Sequence, residues 1–242
     1  MKNTLDMKNR SIAWRLWVLS LGIPVGLIAC RMVLTHSFTY GFYYWNLLLA
    51  VIPLVSSAFL DPDSSILSVR NLCCLVTWFF FLPNAPYLIT DMIHFQERPP
   101  MPVYVDEIIV YSAAWNGVLM AYASIMRVER WLLTRYATRP VNISLVGIFL
   151  LTGFGVYLGR YLRWNTWDIL VHPLALGKDI GVRVLFPSRY KQTWAVSLLF
   201  GGLMTAGYVM LKQLPLLVGI PSPRNQTQGQ STVWGSRRKN SP

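Results

Sequence analysis

The stretch "NLCCLVTWFFFLPNAPYLI", residues 71–89, decides the fold because its 19 residues include no charged side chain. A helix of about 17–25 apolar residues is long enough to cross the ~30 Å hydrocarbon core of a membrane. The same stretch contains Pro83 and Pro86, and each proline removes a backbone N–H and crowds the carbonyl four residues earlier. We therefore predict a membrane-spanning helix that is interrupted at membrane depth.

The composition of the whole chain agrees with this interpretation. Hydrophobic residues make up 54% of the 242 positions and charged residues only 13%, whereas ordinary soluble domains have about 25% charged residues. The charges lie in short clusters between apolar runs, so we predict an all-α, polytopic transmembrane helical bundle of about six spans. The predicted spans are residues 16–30, 42–60, 71–89, 107–126, 141–159 and 193–211.

The positive charges predict the orientation of the chain. Fourteen of the 22 Lys and Arg residues lie on the side that carries both termini, and cytoplasmic loops are enriched in these residues. We predict a multi-pass protein of the inner (plasma) membrane with both termini cytoplasmic. The net charge of +12 is then an orientation signal rather than a sign of nucleic-acid binding. The expected partners are the lipid bilayer and other membrane proteins.

The domain organisation is predicted to be simple. Residues 1–220 form a single transmembrane helical domain, and residues 221–242 form a disordered basic C-terminal tail because they have no apolar period. A separate signal is the sequence "LIAC" ending at Cys30, which resembles a lipoprotein cleavage box. An ordinary first helix with a small buried cysteine is the alternative.

The interruption at Pro83 and Pro86 needs partners for the backbone groups it releases. The carbonyls of Phe79 and Leu82 would lose their usual N–H donors, and broken helices are tolerated in membranes only where protein or a wet cavity surrounds them. The side-chain amide of Asn84 is one candidate partner. In transporters such breaks often mark binding sites, and a purely structural kink capped by Asn84 is the alternative.

Polar residues follow the break. If a helix resumes at Pro86, Tyr87, Asp91 and His94 lie on one face of about two turns. A carboxylate and an imidazole near the membrane surface could relay protons or bind a cation. Solvation in interfacial water is the alternative interpretation.

A second polar segment ends the fifth predicted span, in "GFGVYLGRYLRWNTWDILVHP", residues 153–173. Gly155 and Gly159 form a small-xxx-small pair that permits close helix approach. If the helix continues, cation, aromatic and carboxylate groups share one ridge. Its members are Arg160, Trp164, Asp168 and His172, with Arg163 beside them. This face could hold an anionic headgroup, or it could only anchor the span at the interface.

The two polar segments are predicted to lie on the same side of the membrane because the third and fifth spans run in the same direction. A shared ligand-binding site is therefore the leading hypothesis. Its candidate residues are Asn84, Tyr87, Asp91, His94, Arg160, Arg163, Trp164 and Asp168. A metal site built from Asp91, His94, Asp168 and His172 has no recognised spacing motif, so we predict no metal and no cofactor. Asn116, at mid-depth in the fourth span, is expected to hydrogen-bond to another helix.

Three stretches also resemble a known family. "FLPNAPYLITDMIHF" at residues 81–95, "AAWNG" at 113–117 and "GFGVYLGRYLRWNTWDIL" at 153–170 are similar to the signatures of an uncharacterised family of bacterial, notably cyanobacterial, multi-pass membrane proteins. The likeness covers roughly the second to sixth predicted spans. It implies a polytopic membrane protein and brings no assigned activity or catalytic residue.

Three functions remain open. The favoured one is a membrane-embedded binding or transport site for a small polar or anionic ligand, which predicts a cavity that reaches the break. The second is a non-enzymatic scaffold or assembly factor, which predicts a dry cluster of satisfied polar groups. The third, a metal-dependent membrane enzyme, has no nucleophile motif, P-loop or Rossmann glycine pattern to support it.

Overall fold

A computed structural model describes residues 2–94 and 100–218, without the side chains of residues 2–10, 93 and 94. The predicted basic tail, residues 221–242, lies outside the described residues. Within the described part of the chain the regular elements are helical, which confirms the all-α prediction. The helices are α1 (Lys2–Thr35), α2 (Phe42–Ala58), α3 (Val69–Phe81), α4 (Asn84–Tyr87), a 3-10 helix (Leu88–His94), α5 (Val103–Leu133), α6 (Thr138–Tyr161), α7 (Asp168–Val171), α8 (Pro173–Leu185) and α9 (Lys191–Leu217).

Five segments of the described chain are long and apolar enough to cross a membrane, which confirms a polytopic helical bundle. They are Ser11–Thr35, Val69–Met92, Val103–Leu133, Thr138–Tyr161 and Lys191–Leu217. The remaining predicted span corresponds to α2, an apolar helix of only 17 residues. At 1.5 Å per residue it is about 26 Å long, near the lower limit for a span. The orientation of the termini stays a prediction.

Helix α5 is the centre of the bundle and packs against α1, α2, α4, the 3-10 helix and α6. Its buried polar residues bond to neighbouring helices. Asn116 donates to the Ser20 carbonyl at 3.2 Å and accepts from the Ser20 hydroxyl at 2.7 Å. This confirms the expected interhelical bond of Asn116. In the same way the Trp78 indole donates to Ser124 at 3.1 Å, which joins α3 to α5.

The third span is interrupted where the prolines predict it. Helix α3 begins after Ser68, whose hydroxyl accepts the Asn71 N–H at 3.3 Å, and it ends at Phe81. The chain resumes as α4 at Asn84, not at Pro86, and tightens into the 3-10 helix from Leu88. Leu82, between α3 and α4, is buried, and its carbonyl accepts the Ala85 N–H at 3.2 Å. The break is therefore inside the protein, as the cost of exposed backbone groups in lipid requires.

The opposite end of α3 is held by a set of polar contacts that we call the loop clamp: Asn71, Trp131 and Arg135 around the α2–α3 loop, residues 59–68. Asn71 is fully buried, accepts the Asp61 N–H at 2.9 Å and donates to the Ser65 carbonyl at 2.9 Å. The Arg135 guanidinium donates to the carbonyls of Pro62 at 2.8 Å and Ser64 at 2.6 Å. The Trp131 indole donates to the Asp61 carbonyl at 2.9 Å. Side-chain donors from α3 and from the end of α5 thus bond to backbone carbonyls of the α2–α3 loop.

The chain divides into two compact units, of which the first ends at Gly201 and the second begins at Gly202. The boundary falls inside α9, so the second unit contains the last part of that helix. There the Lys212 ammonium lies 5.7 Å from the ring centre of Tyr208. The prediction of one domain over residues 1–220 stays a prediction.

Candidate functional site

Asn84, the first residue of α4, joins the break to the segment after α6. Its amide nitrogen donates to the Phe81 carbonyl at 3.1 Å and to the Thr166 hydroxyl at 3.0 Å. The first bond satisfies a carbonyl at the end of α3, and the second reaches the segment between α6 and α7. Asn84 therefore caps the break and also connects the two polar segments that the topology was expected to bring together.

Two glycines, Gly117 of α5 and Gly155 of α6, allow these helices to approach the break closely, and Gly159 makes an ordinary contact one turn later. A β-carbon on Gly117 would overlap the Ala85 carbonyl oxygen, and one on Gly155 would lie 2.6 Å from the ring of Pro83. One on Gly159 would lie 3.4 Å from the Tyr87 ring. The predicted small-xxx-small pair of α6 therefore packs against the interrupted helix, and α5 packs against the break from another side.

Asp91 and Arg160 form an ion pair between the 3-10 helix and α6. The Arg160 Nη1 donates to the Asp91 Oδ1 at 2.8 Å, and the two side chains are 17% and 10% exposed. The same nitrogen lies 3.4 Å from the Tyr87 hydroxyl. The buried Tyr43 of α2 lies beside the Asp91 carboxylate. Water reaches the pair only in part, so the charges satisfy each other inside the protein.

A second ion pair lies on the same side of the bundle. Arg31, near the end of α1, donates two hydrogen bonds to the carboxylate of Asp106 in the first turn of α5, and both side chains are almost fully buried. The Arg31 guanidinium also lies 4.4 Å from the ring centre of Tyr40, and Tyr40 stacks on Tyr43 at 5.8 Å. Since Tyr43 lies beside Asp91, the stacked rings of Tyr40 and Tyr43 lie between the two ion pairs.

The segment after α6 corrects the predicted helical ridge. Helix α6 ends at Tyr161, and Arg163 has a positive φ of 61°, a left-handed conformation that reverses the chain. The Trp164 N–H donates to the Leu158 carbonyl at 3.1 Å, which satisfies a carbonyl of the helix end. Arg160, Trp164, Asp168 and His172 therefore do not share one helical face, and the prediction of a continuous ridge is wrong.

The remaining candidate residues have different neighbours. The Trp164 indole donates to Asp179 of α8 at 2.8 Å, and Asp168 accepts the Asn165 N–H at 2.7 Å at the start of α7. Arg163 is exposed, and within the described residues it has no ion-pair partner. The side chain of His94 lies outside the described residues. Among the described side chains, no group of three His, Cys, Asp or Glu residues is close enough to hold a metal ion.

A cavity of about 350 Å³ lies between the break, α2, α6 and the α7–α8 segment; we call it the break cavity. Most of its wall is aromatic or aliphatic. The aromatic residues in its wall are Trp45, Phe79, Phe80, Tyr87, Phe154, Trp164 and Trp167. The polar groups in its wall come from Asn46, Asn84, Tyr87, Thr152, Asn165 and Thr166. This volume and this mixture of many apolar groups with a few polar ones are typical of small-molecule sites.

The break cavity differs from the site expected from charge. Among the described residues of its wall none is charged. Arg160 lies behind Tyr87 and is paired with Asp91, so it does not present a free cation to the cavity. Of the candidate residues, Asn84, Tyr87 and Trp164 line the cavity, whereas Asp91, Arg160, Arg163 and Asp168 do not.

Sequence reasoning missed the contributions of α2 and of the segment after α6. Neither Trp45 nor Asn46 is among the residues predicted for the site, although an asparagine inside an apolar helix is unusual. Thr166 was also missed, since its role depends on the chain reversal at Arg163. The charged residues of the sequence therefore predicted the ion pair beside the cavity and not the wall of the cavity.

These features define an integral membrane protein, a polytopic helical bundle with an uncharged cavity at its interrupted span. Residues 45–206 match the family described as protein of unknown function (DUF1361), and the chain belongs to that family. The three signature stretches lie inside the matched range, so the resemblance to an uncharacterised family is confirmed, while the bacterial origin stays a prediction. No match was found among curated proteins or among solved structures.

Proposed function

We propose that this protein binds a small, mainly apolar molecule in the break cavity, within the membrane. The supporting observation is a cavity of about 350 Å³ at the interruption, walled by uncharged residues from α2, α3, α4, α6, α7 and α8. This proposal keeps the membrane-embedded binding site of the sequence-based hypothesis. It replaces an anionic ligand by one that is recognised through apolar contact and a few hydrogen bonds, because no described residue of the wall is charged and the nearby Arg160 and Arg183 are paired.

The polar groups of the wall support recognition of an uncharged polar end. Asn84 donates to Thr166, and both residues also border the cavity. The Asn84 amide and the Thr166 hydroxyl can replace the bond between them by bonds to a ligand. The net cost is small because each group then still has a hydrogen-bond partner. Tyr87 adds a third polar group, and the Asp91–Arg160 pair behind it fixes its hydroxyl.

The test uses 1-aminoanthracene, a small neutral dye whose fluorescence rises in apolar sites, with the full-length protein in nanodiscs. In Gly159→Leu the new β-carbon would meet Tyr87 at an ordinary 3.4 Å, and the rest of the side chain would extend into the cavity. We expect dye binding to weaken about tenfold or more, which corresponds to ~1.4 kcal/mol.

Gly147→Leu is the matched control. It adds the same side chain to the same helix, where the β-carbon would meet nothing within 4 Å, and Gly147 does not line the cavity. Its dye affinity should equal that of the unmodified protein. The proposal is wrong if the dye does not bind above the level of empty nanodiscs, or if both variants weaken binding equally while remaining folded.

A scaffold role is the second candidate, and one observation favours it. Asp91 pairs with Arg160 inside the protein, and Arg31 pairs with Asp106. Paired charges of this kind stabilise the helix bundle itself, which is the role that the scaffold hypothesis gives them. The two functions are separable by native gel electrophoresis of membranes that contain Gly159→Leu. If the protein is a scaffold, filling the cavity should leave the assembly of its partner complex unchanged. If it acts through a ligand in the cavity, the same variant should disturb that assembly.

A further inference from the structure

The break cavity extends along the membrane normal. Leu151, in the middle of α6, lines its deep end, and Trp164 and Trp167, beyond the end of that helix, line its shallow end. On α6 the wall runs from Leu151 to Gly159, which is about 12 Å at 1.5 Å per residue. The part of the cavity along α6 is therefore shorter than half of a ~30 Å hydrocarbon core.

Its polarity changes along this axis. The deep wall is formed by Phe79, Phe80 and Leu151, and the shallow wall carries Asn165 and Thr166. Near the shallow end, Trp45 and Trp167 contact each other edge to face, with ring centres 6.0 Å apart. Tryptophan is the side chain most typical of the boundary between hydrocarbon and headgroups. Thr152, beside Leu151, is the polar residue of the deep wall, and its hydroxyl is already bonded to the Ile148 carbonyl at 2.8 Å. The other deep groups named here are apolar, and the hydrogen-bonding groups of Asn165 and Thr166 lie at the shallow end.

The cavity also opens sideways. Among the residues of its wall, Phe79 is 37% exposed, Phe80 is 44% exposed and Leu151 is 52% exposed. These residues belong to two candidate spans and lie near their midpoints. Side chains exposed at that depth face lipid rather than water. A molecule can therefore pass between the bilayer and the cavity without crossing an aqueous surface.

We propose that the ligand is an amphipathic lipid that enters the cavity sideways from the bilayer. One hydrocarbon chain lies along Phe79, Phe80 and Leu151, and its hydrogen-bonding headgroup lies beside Asn84, Asn165 and Thr166. This inference rests on the proposed binding function and names its ligand class. Acyl chains and isoprenoid chains share the required chemistry, and the experiment below separates them.

The experiment uses photo-crosslinking of the full-length protein in phosphatidylcholine nanodiscs. One lipid probe carries a diazirine near the end of an acyl chain, a second carries it on the headgroup, and a third is an isoprenoid alcohol with a diazirine at the chain end. Crosslinked residues are mapped by peptide mass spectrometry. We expect the chain-end probes to label Phe79, Phe80 and Leu151, and the headgroup probe to label residues 165–167. The chain type that labels more strongly identifies the lipid.

A matched pair of variants separates cavity binding from ordinary contact with surrounding lipid. Leu151→Trp fills the deep end, and Val146→Trp adds the same side chain at another exposed position of α6 that does not line the cavity. The labelling of Phe79 and Phe80 should fall about tenfold in Leu151→Trp and stay unchanged in Val146→Trp.

Equal chain-end labelling of Leu151 and Val146 in the unmodified protein would overturn the lipid inference. If 1-aminoanthracene still binds and still responds to Gly159→Leu in that case, the proposed binding function stands without a lipid ligand. If the dye does not bind either, both proposals fail. Strong labelling of the deep wall that Leu151→Trp removes supports both.

Discussion

The loop clamp and the break cavity lie at opposite ends of α3, and they use their polar groups differently. In the loop clamp, Asn71 and Arg135 donate to backbone carbonyls of the α2–α3 loop. At the break, Asn84 bonds to one carbonyl and one hydroxyl, and it also lines a cavity of about 350 Å³. Asn71 and Arg135 do not line that cavity.

This difference separates stability from binding. A buried polar residue such as Asn71, bonded to several groups of one loop, stabilises the fold by the net contribution of each hydrogen bond. A polar residue that borders a cavity has a partner that a ligand can substitute. We therefore expect variants at the loop clamp to change the free energy of unfolding, and variants at the break cavity to change binding more than stability.

The largest effect is expected for Asn71→Ala in the loop clamp. Asn71 is fully buried, and the substitution removes its bonds to the loop at Asp61, Ser64 and Ser65. Loss of these bonds should lower the free energy of unfolding by about 3 kcal/mol, because each hydrogen bond contributes roughly 1 kcal/mol. Unfolding in mixed micelles measures it. Asn165→Ala, an exposed position of the cavity wall, is the control; equal losses for the two variants would remove the distinction between the regions.

The next effect is expected for Asp91→Asn. This change leaves the Arg160 cation without its carboxylate at a position where it is only 17% exposed. The free energy of unfolding should fall by about 2 kcal/mol, since an unpaired, mostly buried charge is costly. Arg160→Met removes the cation instead, and the double variant should lose less than the sum of the two single variants. Additive losses would show that the ion pair is not energetically coupled.

A smaller effect on stability is expected for Asn84→Ala. The variant loses the bonds to Phe81 and Thr166, and the free energy of unfolding should fall by about 1 kcal/mol. Its affinity for the dye should change more than that of the loop-clamp variant Asn71→Ala, because Asn84 lines the cavity. Thr166→Val removes the other partner of the bond, and a double-mutant cycle measures their coupling. If dye affinity is unaffected in both, Asn84 is only a cap for the break.

The smallest effect concerns Asp61 in the loop outside the spans. Hydrogen bonds from the Ser64 hydroxyl and the Asp63 N–H, and the charge of Arg70, lower the pKa of Asp61. Because the folded pKa is below the unfolded one, this stabilisation is present above the ordinary aspartate pKa of about 4. It is lost as the pH falls further, through the folded pKa. Unfolding measured against pH should show this loss, and Asp61→Asn should remove it. Ser64→Ala, which removes the first of these bonds, should retain part of the dependence.

The sequence predicted the helical membrane fold and the interruption because both follow from local chemistry. The length of an apolar segment identifies a span. Pro83 and Pro86 remove backbone hydrogen bonds from any helix that contains them. The meeting of the break with α6 was also predictable, since Gly155 and Gly159 permit close approach and the two spans run in the same direction. The contact between Asp91 and Arg160 follows from that topology.

The details of the cavity were not predictable in this way. The prediction of a ridge through Trp164 and Asp168 failed because the left-handed conformation of Arg163 ends the helix, and arginine has no special preference for it. The wall contributed by Trp45 and Asn46 depends on how α2 packs against the break, which is a tertiary contact. Charged residues are easy to recognise in an apolar sequence, but here they pair with each other and leave the cavity uncharged.

The Arg31–Asp106 ion pair has a consequence for the biogenesis of the protein. Its two residues are 75 positions apart in the chain, in α1 and α5. At a synthesis rate of about 5–20 residues per second, α1 exists for roughly 4–15 s before its carboxylate partner has been made. During that interval the Arg31 side chain must extend towards the headgroups, as long cationic side chains near helix ends do. The charge of Arg31 is therefore paired only when Val103–Leu133, the third of the long spans, has been made, so insertion of this protein into the membrane is sequential while its charge neutralisation is delayed.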